Sequence, residues 1–247
     1  MIYIQKEGIP SSVEQKIIEI KKSDNWKMID PEDTNAIRNV FDDEFPKEEV
    51  KQTLVHEQHG LCAYCMKRIR ADRHSRVEHL IPLSEDKENA INYDNLLGVC
   101  DGGESLAGQC NKVLCCDAHK KDDKISLSPL NKVQMDKIAY DKDGRIYTKP
   151  YDRDMEKDIN DILGLNGVKK SDGSVRDTST ELLKGRKDAY ERVDILFELL
   201  NKRGKFTSAY LARLICELET SEEQEEFVGV KLYRLKKKLQ TMTRKTS

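Results

Sequence analysis

Residues 62–83 have the sequence CAYCMKRIRADRHSRVEHLIPL, and this stretch limits what kind of protein the chain is. Its first four residues form a C-x-x-C turn, which brings two thiolates to one ion. Zn²⁺ takes four such ligands in a tetrahedron. Further along, Glu78 and His79 stand side by side. A carboxylate on a divalent metal and an imidazole that takes a proton from water are the minimum for metal-assisted hydrolysis.

The geometry of the Glu78-His79 pair depends on the local backbone. In a strand the two neighbours face opposite sides, whereas a tight loop can turn both toward one centre. A lone acid-histidine pair usually lies on the surface and faces water. Here the position of the pair between two groups of cysteines favours a role in chemistry.

The cysteines indicate a metal site rather than disulfides. Six of the seven fall between residues 62 and 116, and such a cluster is typical of metal binding where thiols stay reduced. The second half of the site must come from the later members of the cluster. Because adjacent cysteines rarely bind one metal, at least one of the last two is expected to be a buried or free thiol. These later cysteines are Cys100, Cys110, Cys115 and Cys116.

Composition narrows the class of protein. Hydrophobic residues make up 37% of the 247 residues and charged residues 36%, and the net charge is −2. No apolar run approaches the roughly 18 residues of a membrane span, and no apolar segment follows a basic start as in a signal peptide. We therefore expect a cytoplasmic protein without membrane contact, in which any footprint for nucleic acid is local.

One local basic run lies at residues 66–76, which hold five Lys or Arg and one Asp. It predicts contacts that position a nucleic-acid backbone without reading its sequence. The alternative is an exposed loop tip. The predicted contacts are Lys67, Arg68, Arg70, Arg73 and Arg76.

Periodicity predicts a largely helical chain with one hairpin. Residues 138–148 alternate around Asp143-Gly144, which favours a hairpin, and residues 165–180 have the composition of a polar linker. The predicted helices are 11–22, 33–58 with a break near Pro46, 154–166, 181–202, 206–218 and 222–244.

The C-terminal charges fall in blocks. Residues 219–226 carry five acids, and residues 231–245 carry seven bases and no acid. We expect the basic helix to be a docking or backbone-binding arm that the core does not need, so that truncation after Glu226 spares the fold. The alternative is a solvated helix pair.

Four segments in order resemble the signature of the HNH nuclease family, the ββα-metal motif. They are CAYC (62–65), VEHLIPLS (77–84), NLLGVC (95–100) and CDAHK (116–120). The likeness extends to the HNH subunits of Septu anti-phage systems, the PtuB family, and their retron-associated relatives. It rests there on EQHG (57–60), Ser128-Pro129 and LGLN (163–166), and it spans roughly residues 1–200.

The resemblance assigns a role to each matching residue. His79 is the general base, Glu78 and Asp117 are ligands of a catalytic Mg²⁺ or Mn²⁺, and Asn95 braces the loop that holds the base. Lys120 matches the last lysine of the signature and joins the residues expected at the nucleic-acid backbone. Cys62, Cys65, Cys100 and Cys116 match the ligands of a structural zinc.

Two departures from the signature leave alternatives open. Cys100 and Cys116 are separated by 15 residues instead of the usual two, so that Cys110 or Cys115 competes with Cys116 as a ligand. Asp117 stands where the family usually has His or Asn. Whether His119 replaces it is also open.

The resemblance implies an α+β fold with a small zinc-stapled ββα-metal core embedded between N-terminal and C-terminal helices. Residues 1–58 would form a helical arm, 59–126 the nuclease core, and 127–247 a hairpin with a helical region. The implied partners are nucleic acid as substrate, a PtuA-like ATPase that gates cleavage, and a retron reverse transcriptase with its reverse-transcribed DNA.

The sequence is also compatible with two other functions. The first is a non-catalytic zinc-ribbon subunit that binds nucleic acid or acts as an adaptor, although such a module has no need of Glu78-His79. The second is a redox sensor that uses the vicinal Cys115 and Cys116.

Overall fold

The computed structural model describes residues 1–107 and 111–244 and shows a mixed α+β fold. The N-terminal part is helical, as predicted. Side chains begin two of its helices, because Ser23 accepts from the backbone of Trp26 and Asp33 from that of Ala36. Pro46 separates the last two helices. The four are α1 (Ser11–Lys22), α2 (Asp24–Met28), α3 (Thr34–Asp43) and α4 (Lys47–Glu57).

A ββα arrangement follows. Strand β1 (Ser75–His79) pairs antiparallel with β2 (Leu96–Cys100), and a short helix, α5 (Cys116–Lys120), packs beside β2. Two 3₁₀ turns, Lys87–Ile91 and Tyr93–Asn95, connect the strands.

The remaining chain confirms the predicted hairpin and most of the predicted helices. A π-helical turn, Asp158–Ile162, extends α7. Residues 165–180, predicted as a linker, contain a two-stranded hairpin, and residues 222–227 precede the last helix rather than belonging to it. The elements are α6 (Lys132–Met135), β3 (Ile138–Tyr140), β4 (Ile146–Thr148), α7 (Arg153–Lys157), β5 (Val168–Lys169), β6 (Val175–Arg176), α8 (Leu182–Lys202), α9 (Ser208–Glu219) and α10 (Val228–Arg244).

The β1–β2 sheet separates two hydrophobic cores. Opposite residues of an antiparallel pair share a face, so His79 with Leu96 faces one side and Glu78 with Leu97 faces the other. Leu96 belongs to the first core, which is built from α1–α4 and the 3₁₀ turns. Leu97 belongs to the second core, which contains the buried cysteines and the C-terminal helices.

Helix α10 is part of the second core, which contradicts the expectation that it is dispensable. Phe227, Val228, Leu232 and Leu235 are buried there. At roughly 1.5–3 kcal/mol for each buried side chain, these four contribute about 6–12 kcal/mol, close to the whole stability of a typical domain. Truncation after Glu226 removes this packing.

Within the described residues, no helix combines the length and the apolar character that crossing a membrane requires.

Candidate active site and metal centre

Four buried cysteines form a cluster that can hold a metal ion such as zinc. The sulfur atoms of Cys62, Cys65, Cys100 and Cys116 all lie within 4.8 Å of one another. Cys62 and Cys116 are 3.9 Å apart at sulfur, and Cys65 and Cys100 are 3.7 Å apart. A tetrahedron with sulfur about 2.3 Å from zinc has sulfur atoms about 3.8 Å apart, so the cluster has the size of a four-thiolate zinc site.

Backbone hydrogen bonds shape the first half of the cluster. The N–H of Met66 donates to the carbonyl of Cys62, and the N–H of Cys62 donates to the carbonyl of Lys67, which closes a tight turn. The buried amide of Gln58 accepts from the N–H of Gly98 and donates to its carbonyl. These bonds fix the turn against β2, whose last residue is Cys100.

The second half of the cluster comes from the start of α5. Cys116 has a positive φ of 54°, and its N–H donates to the carbonyl of Leu163. The Sγ of its neighbour Cys115 lies 3.4 Å from the hydroxyl of Thr180 and also near the thiols of Cys100 and Cys116, but it is not one of the four sulfur atoms that all lie within 4.8 Å of one another. Cys116, and not Cys115, is therefore the cluster member. Cys110 lies outside the described residues.

A cleft of about 520 Å³ opens between the N-terminal helices and the ββα unit. The edge of β1 opposite β2 forms no strand pair within the described chain, and this edge faces the cleft. Although Glu78 and His79 point to opposite sides of the strand, both line the cleft. The other charged lining residues are Arg38, Asp42, Lys47, Glu48, Lys51, Arg76, Asp117, Lys120, Lys121 and Asp122. Arg38, Lys47 and Lys51 form ion pairs with Asp122, Asp42 and Glu48, respectively.

The side chain of His79 contacts residues of the first core. Its Nε2 lies 2.9 Å from the carbonyl of Ala90, and its ring meets the ring of Phe41 at a centroid distance of 4.6 Å. A carbonyl only accepts, so Nε2 carries the proton and Nδ1 keeps a free lone pair. Burial lowers the pKa of His79, and the nearby positive charge of Arg38 lowers it further. The imidazole is therefore neutral near pH 7.

The side chain of Glu78 lies on the opposite face of the sheet, next to the second core. Its Oε1 lies 2.9 Å from the Nζ of Lys120 and accepts a 3.2 Å hydrogen bond from the hydroxyl of Tyr64. Burial raises the pKa of Glu78 to about 8 against the opposing effect of Lys120, and the carboxyl group of Asp117 adds to the increase. Tyr64 lies between two cluster cysteines and Lys120 is four residues from a third, so the cluster helps to position Glu78.

Asp117 lines the cleft, whereas His119 does not. The carboxyl group of Asp117 lies close enough to that of Glu78 to raise the pKa of Glu78, and it makes a 2.9 Å ion pair with Arg76. The Nδ1 of His119 instead lies 2.9 Å from the carbonyl of Ile162. Of the two residues between which the sequence left the choice open, only Asp117 shares the cleft with Glu78.

Two adjoining carboxyl groups disfavour each other's ionised form unless a proton or a cation lies between them. Oxygen donors of this kind suit Mg²⁺ and Mn²⁺. Glu78 and Asp117 are donors of this chemical type, and in the structure their counter-charges come from Lys120 and Arg76.

Asn95 fastens the loop that follows His79. Its Oδ1 accepts from the N–H of Ile81 at 2.8 Å, and its Nδ2 donates to the carbonyls of Ile81 and Asn89 at 2.9 and 3.0 Å. The side chain thus closes the connection between β1 and β2.

The predicted backbone-contact residues are only partly brought to the cleft. Arg76 lines it, while Arg70 and Arg73 are exposed outside its lining. Contrary to the prediction, Arg68 is bound to the C-terminal segment, through Glu223 at 3.2 Å and the carbonyl of Gln224. The Nζ of Lys67 donates to the carbonyl of Thr180 at 3.3 Å.

Lys120 also departs from its predicted role. It is only 1% exposed, and its ammonium group is committed to Glu78 and to the carbonyl of His79. A surface contact with phosphate is therefore contradicted, and a structural ion pair takes its place.

Sequence reasoning missed three cations on the opposite wall. Arg38 lies on α3, and Lys47 and Lys51 lie on α4, all lining the cleft. The i, i+4 spacing of the two lysines showed that they share a helix face. Only the fold shows that this face is turned toward His79.

Comparison of the chain with protein-family models and with curated proteins finds no match.

Replacing Lys120 with methionine should destabilise the fold by about 3 kcal/mol, because removal of one partner leaves a buried carboxyl group without its counter-charge. The loss of folding stability should lie at the lower end of the range that is usual when one partner of a buried ion pair is removed, since Glu78 can take up a proton. Urea unfolding followed by circular dichroism measures the change. Lys121→Met is the matched control, because Lys121 is exposed and should change stability by less than about 0.5 kcal/mol. Equal effects of the two variants would contradict the importance of the buried pair.

Proposed function

We propose that the protein is a metal-dependent HNH endonuclease that hydrolyses phosphodiester bonds in nucleic acid. The observation that carries the proposal is the meeting of a neutral histidine and two adjoining carboxyl groups in one cleft of a ββα unit. The resemblance of the four signature segments to the HNH family agrees with it.

His79 is the proposed general base. Its Nε2–H is fixed by the carbonyl of Ala90, which leaves Nδ1 to accept a proton from the attacking water. The loop that follows is closed by Asn95, so the ring and its backbone are held together. A lowered pKa keeps the ring unprotonated and able to act.

Glu78 and Asp117 are the proposed ligands of Mg²⁺ or Mn²⁺. When bound, the cation supplies positive charge for the phosphoryl and leaving oxygens. Tyr64 and Lys120 orient the carboxylate of Glu78, and Arg76 orients that of Asp117. Arg38, Lys47 and Lys51 are placed to attract a phosphate backbone to the cleft.

The cysteine cluster is proposed to hold a structural zinc. A closed set of four thiolates leaves no open position for substrate, which is the pattern of structural rather than catalytic zinc. Free thiols in this number also suit the reducing cytoplasm, where we place the protein.

The resemblance to PtuB subunits leads us to propose the same assembly for this chain. A PtuA-like ATPase would gate the nuclease, and a retron reverse transcriptase with its reverse-transcribed DNA would join in retron-associated systems. No Walker A motif occurs in the sequence, so nucleotide hydrolysis would have to come from a partner.

A non-catalytic zinc-ribbon binding or adaptor subunit is the second candidate, and one observation favours it. The Oε1 of Glu78 is already satisfied by Lys120 and Tyr64 without any cation. Cleavage by the purified protein separates the two candidates.

The test is cleavage of supercoiled plasmid DNA and of a tRNA pool, with the chain alone and together with its genomic neighbours. We expect nicking or cleavage in Mg²⁺ or Mn²⁺, and none when the divalent ion is left out. Binding without cleavage under all of these conditions would favour the zinc-ribbon subunit.

A further inference from the structure

A second surface, outside the cleft, combines aromatic rings with cations. Along β4 and the residues flanking it, alternate side chains point outward while Ile146 and Thr148 are buried. The outward residues of this stretch are Arg145, Tyr147 and Lys149, and Tyr151 follows after the end of the strand and the exposed Pro150. Tyr151 is 73% exposed.

Helix α10 continues this surface. Burial raises the pKa of Tyr147 and the neighbouring Tyr233 adds to the increase, which places these two residues side by side. The Tyr233 ring packs edge-on against Tyr140 at a centroid distance of 5.9 Å. One helical turn later, the Nζ of Lys237 lies 5.6 Å from the centre of the Tyr233 ring. We call the six residues Arg145, Tyr147, Lys149, Tyr151, Tyr233 and Lys237 the hairpin face.

The cations of the hairpin face are free to meet an anion. Arg145, Lys149 and Lys237 form no ion pair within residues 1–107 and 111–244, although four of the cations that line the cleft do, namely Arg38, Lys47, Lys51 and Arg76. Of the acids close by in the sequence, Asp143 in the hairpin turn is exposed, and two others already have partners. Asp152 is paired with Lys137 at 2.9 Å, and Asp141 accepts backbone N–H groups of the hairpin turn.

We propose that the hairpin face binds a single strand of nucleic acid. Proteins that hold single strands combine positive charge along the backbone with aromatic rings on which bases stack, and the hairpin face offers both. Lys237 beside Tyr233 adds positive charge next to a ring. The unpaired cations complement phosphates, and the exposed ring of Tyr151 provides a stacking surface that a duplex, with its bases covered, does not use.

This site shares no residue with the lining of the cleft. It extends the proposed function by naming a second contact for the nucleic-acid substrate, and it rests on that proposed function. It does not require cleavage, so binding at the hairpin face can be measured when the cleft is inactive.

The experiment is fluorescence anisotropy with labelled oligothymidine and oligouridine of about 20 nucleotides, long enough for a single-strand site. The protein is the full chain carrying His79→Ala, with zinc retained and without added Mg²⁺. Tyr151→Ala should weaken binding about tenfold, since stacking of one base contributes about 1–3 kcal/mol. Lys149→Ala with Lys237→Ala should flatten the dependence of log affinity on log salt by about 0.7 for each lost contact.

Lys236→Ala is the matched control, because Lys236 lies on the same helix but is paired with Glu219 at 2.6 Å. It should leave affinity for both oligonucleotides within about twofold. Unchanged affinity in Tyr151→Ala and in the double lysine variant overturns the proposal. Tighter binding of polyglutamate than of either oligonucleotide also overturns it and indicates an acidic protein partner. Failure of plasmid cleavage alone leaves these binding results unaffected and counts only against the nuclease.

Discussion

Replacing His79 with alanine is expected to reduce cleavage by about 10² to 10⁴, the usual contribution of a placed general base. The reason is geometric: Nδ1 is the free basic nitrogen of a ring held by Ala90 and Phe41. Initial rates of plasmid nicking measure the loss, under conditions in which the wild-type complex is active. Zinc content, folding and partner binding should be unchanged, because the cysteine cluster does not touch this ring.

Two other histidines provide controls. His74 is exposed and outside the cleft, so His74→Ala should cleave at the wild-type rate. His119→Ala should have a milder effect than His79→Ala, because His119 contacts Ile162 rather than the cleft. Wild-type activity of His79→Ala would remove the HNH assignment in favour of the zinc-ribbon subunit. If His119→Ala folds and is equally inactive, Asp117 is not the last residue of the motif.

Replacing Cys62 with serine is expected to lower zinc from one ion per chain to nearly none and to abolish cooperative unfolding. Structural zinc contributes about 10–16 kcal/mol of apparent binding free energy, whereas a whole domain has about 5–15 kcal/mol of stability. Loss of the metal should therefore unfold the part of the second core that surrounds the cluster. Elemental analysis and thermal denaturation measure the two effects.

Cys115→Ser and Cys216→Ser are the matched controls. Cys115 is buried next to the cluster but its sulfur faces Thr180, and Cys216 is exposed on α9. Both variants should keep one zinc per chain. Zinc retained in Cys62→Ser, or lost in Cys115→Ser, would contradict the assignment of Cys62, Cys65, Cys100 and Cys116 as the four ligands.

Local sequence patterns predicted the elements well. Helices α1, α3 and α4 lie where apolar spacing and Pro46 placed them, and the β3–β4 hairpin surrounds Asp143-Gly144 as expected. These features depend on residues that are close together in the chain, so local sequence patterns are enough to predict them. For the cysteine cluster, C-x-x-C spacing indicated only the half-site of Cys62 and Cys65. The resemblance to the HNH signature supplied Cys100 and Cys116, and the structure brings these four together.

Features that depend on distant contacts were harder to predict. The basic charges of α10 suggested a peripheral arm, but its buried face packs on the second core. Arg68 belonged to a basic run, yet its partners Gln224 and Glu226 lie 156 and 158 positions further along the chain. Charge sequence alone does not show which cations already have partners, and for that reason the role of Lys120 was also predicted wrongly.

Prediction of the candidate site depended both on local sequence patterns and on contacts between distant parts of the chain. Glu78, His79 and Asp117 were selected from the motif, and the structure brings all three to one cleft. The N-terminal wall with Arg38 was missed because α3 and β1 are far apart in the sequence. Which helix face approaches a strand depends on tertiary packing, and no local pattern encodes it.

The position of the β1–β2 sheet between two cores has a consequence for control of the proposed chemistry. His79 is anchored to the N-terminal core through Phe41 and Ala90, and Glu78 is anchored to the other core through Tyr64 and Lys120. A relative shift of about 1 Å between reacting groups can cost about 10² in rate. A shift of α1–α4 relative to the second core would therefore be expected to slow the proposed chemistry, because it would move His79 away from Glu78.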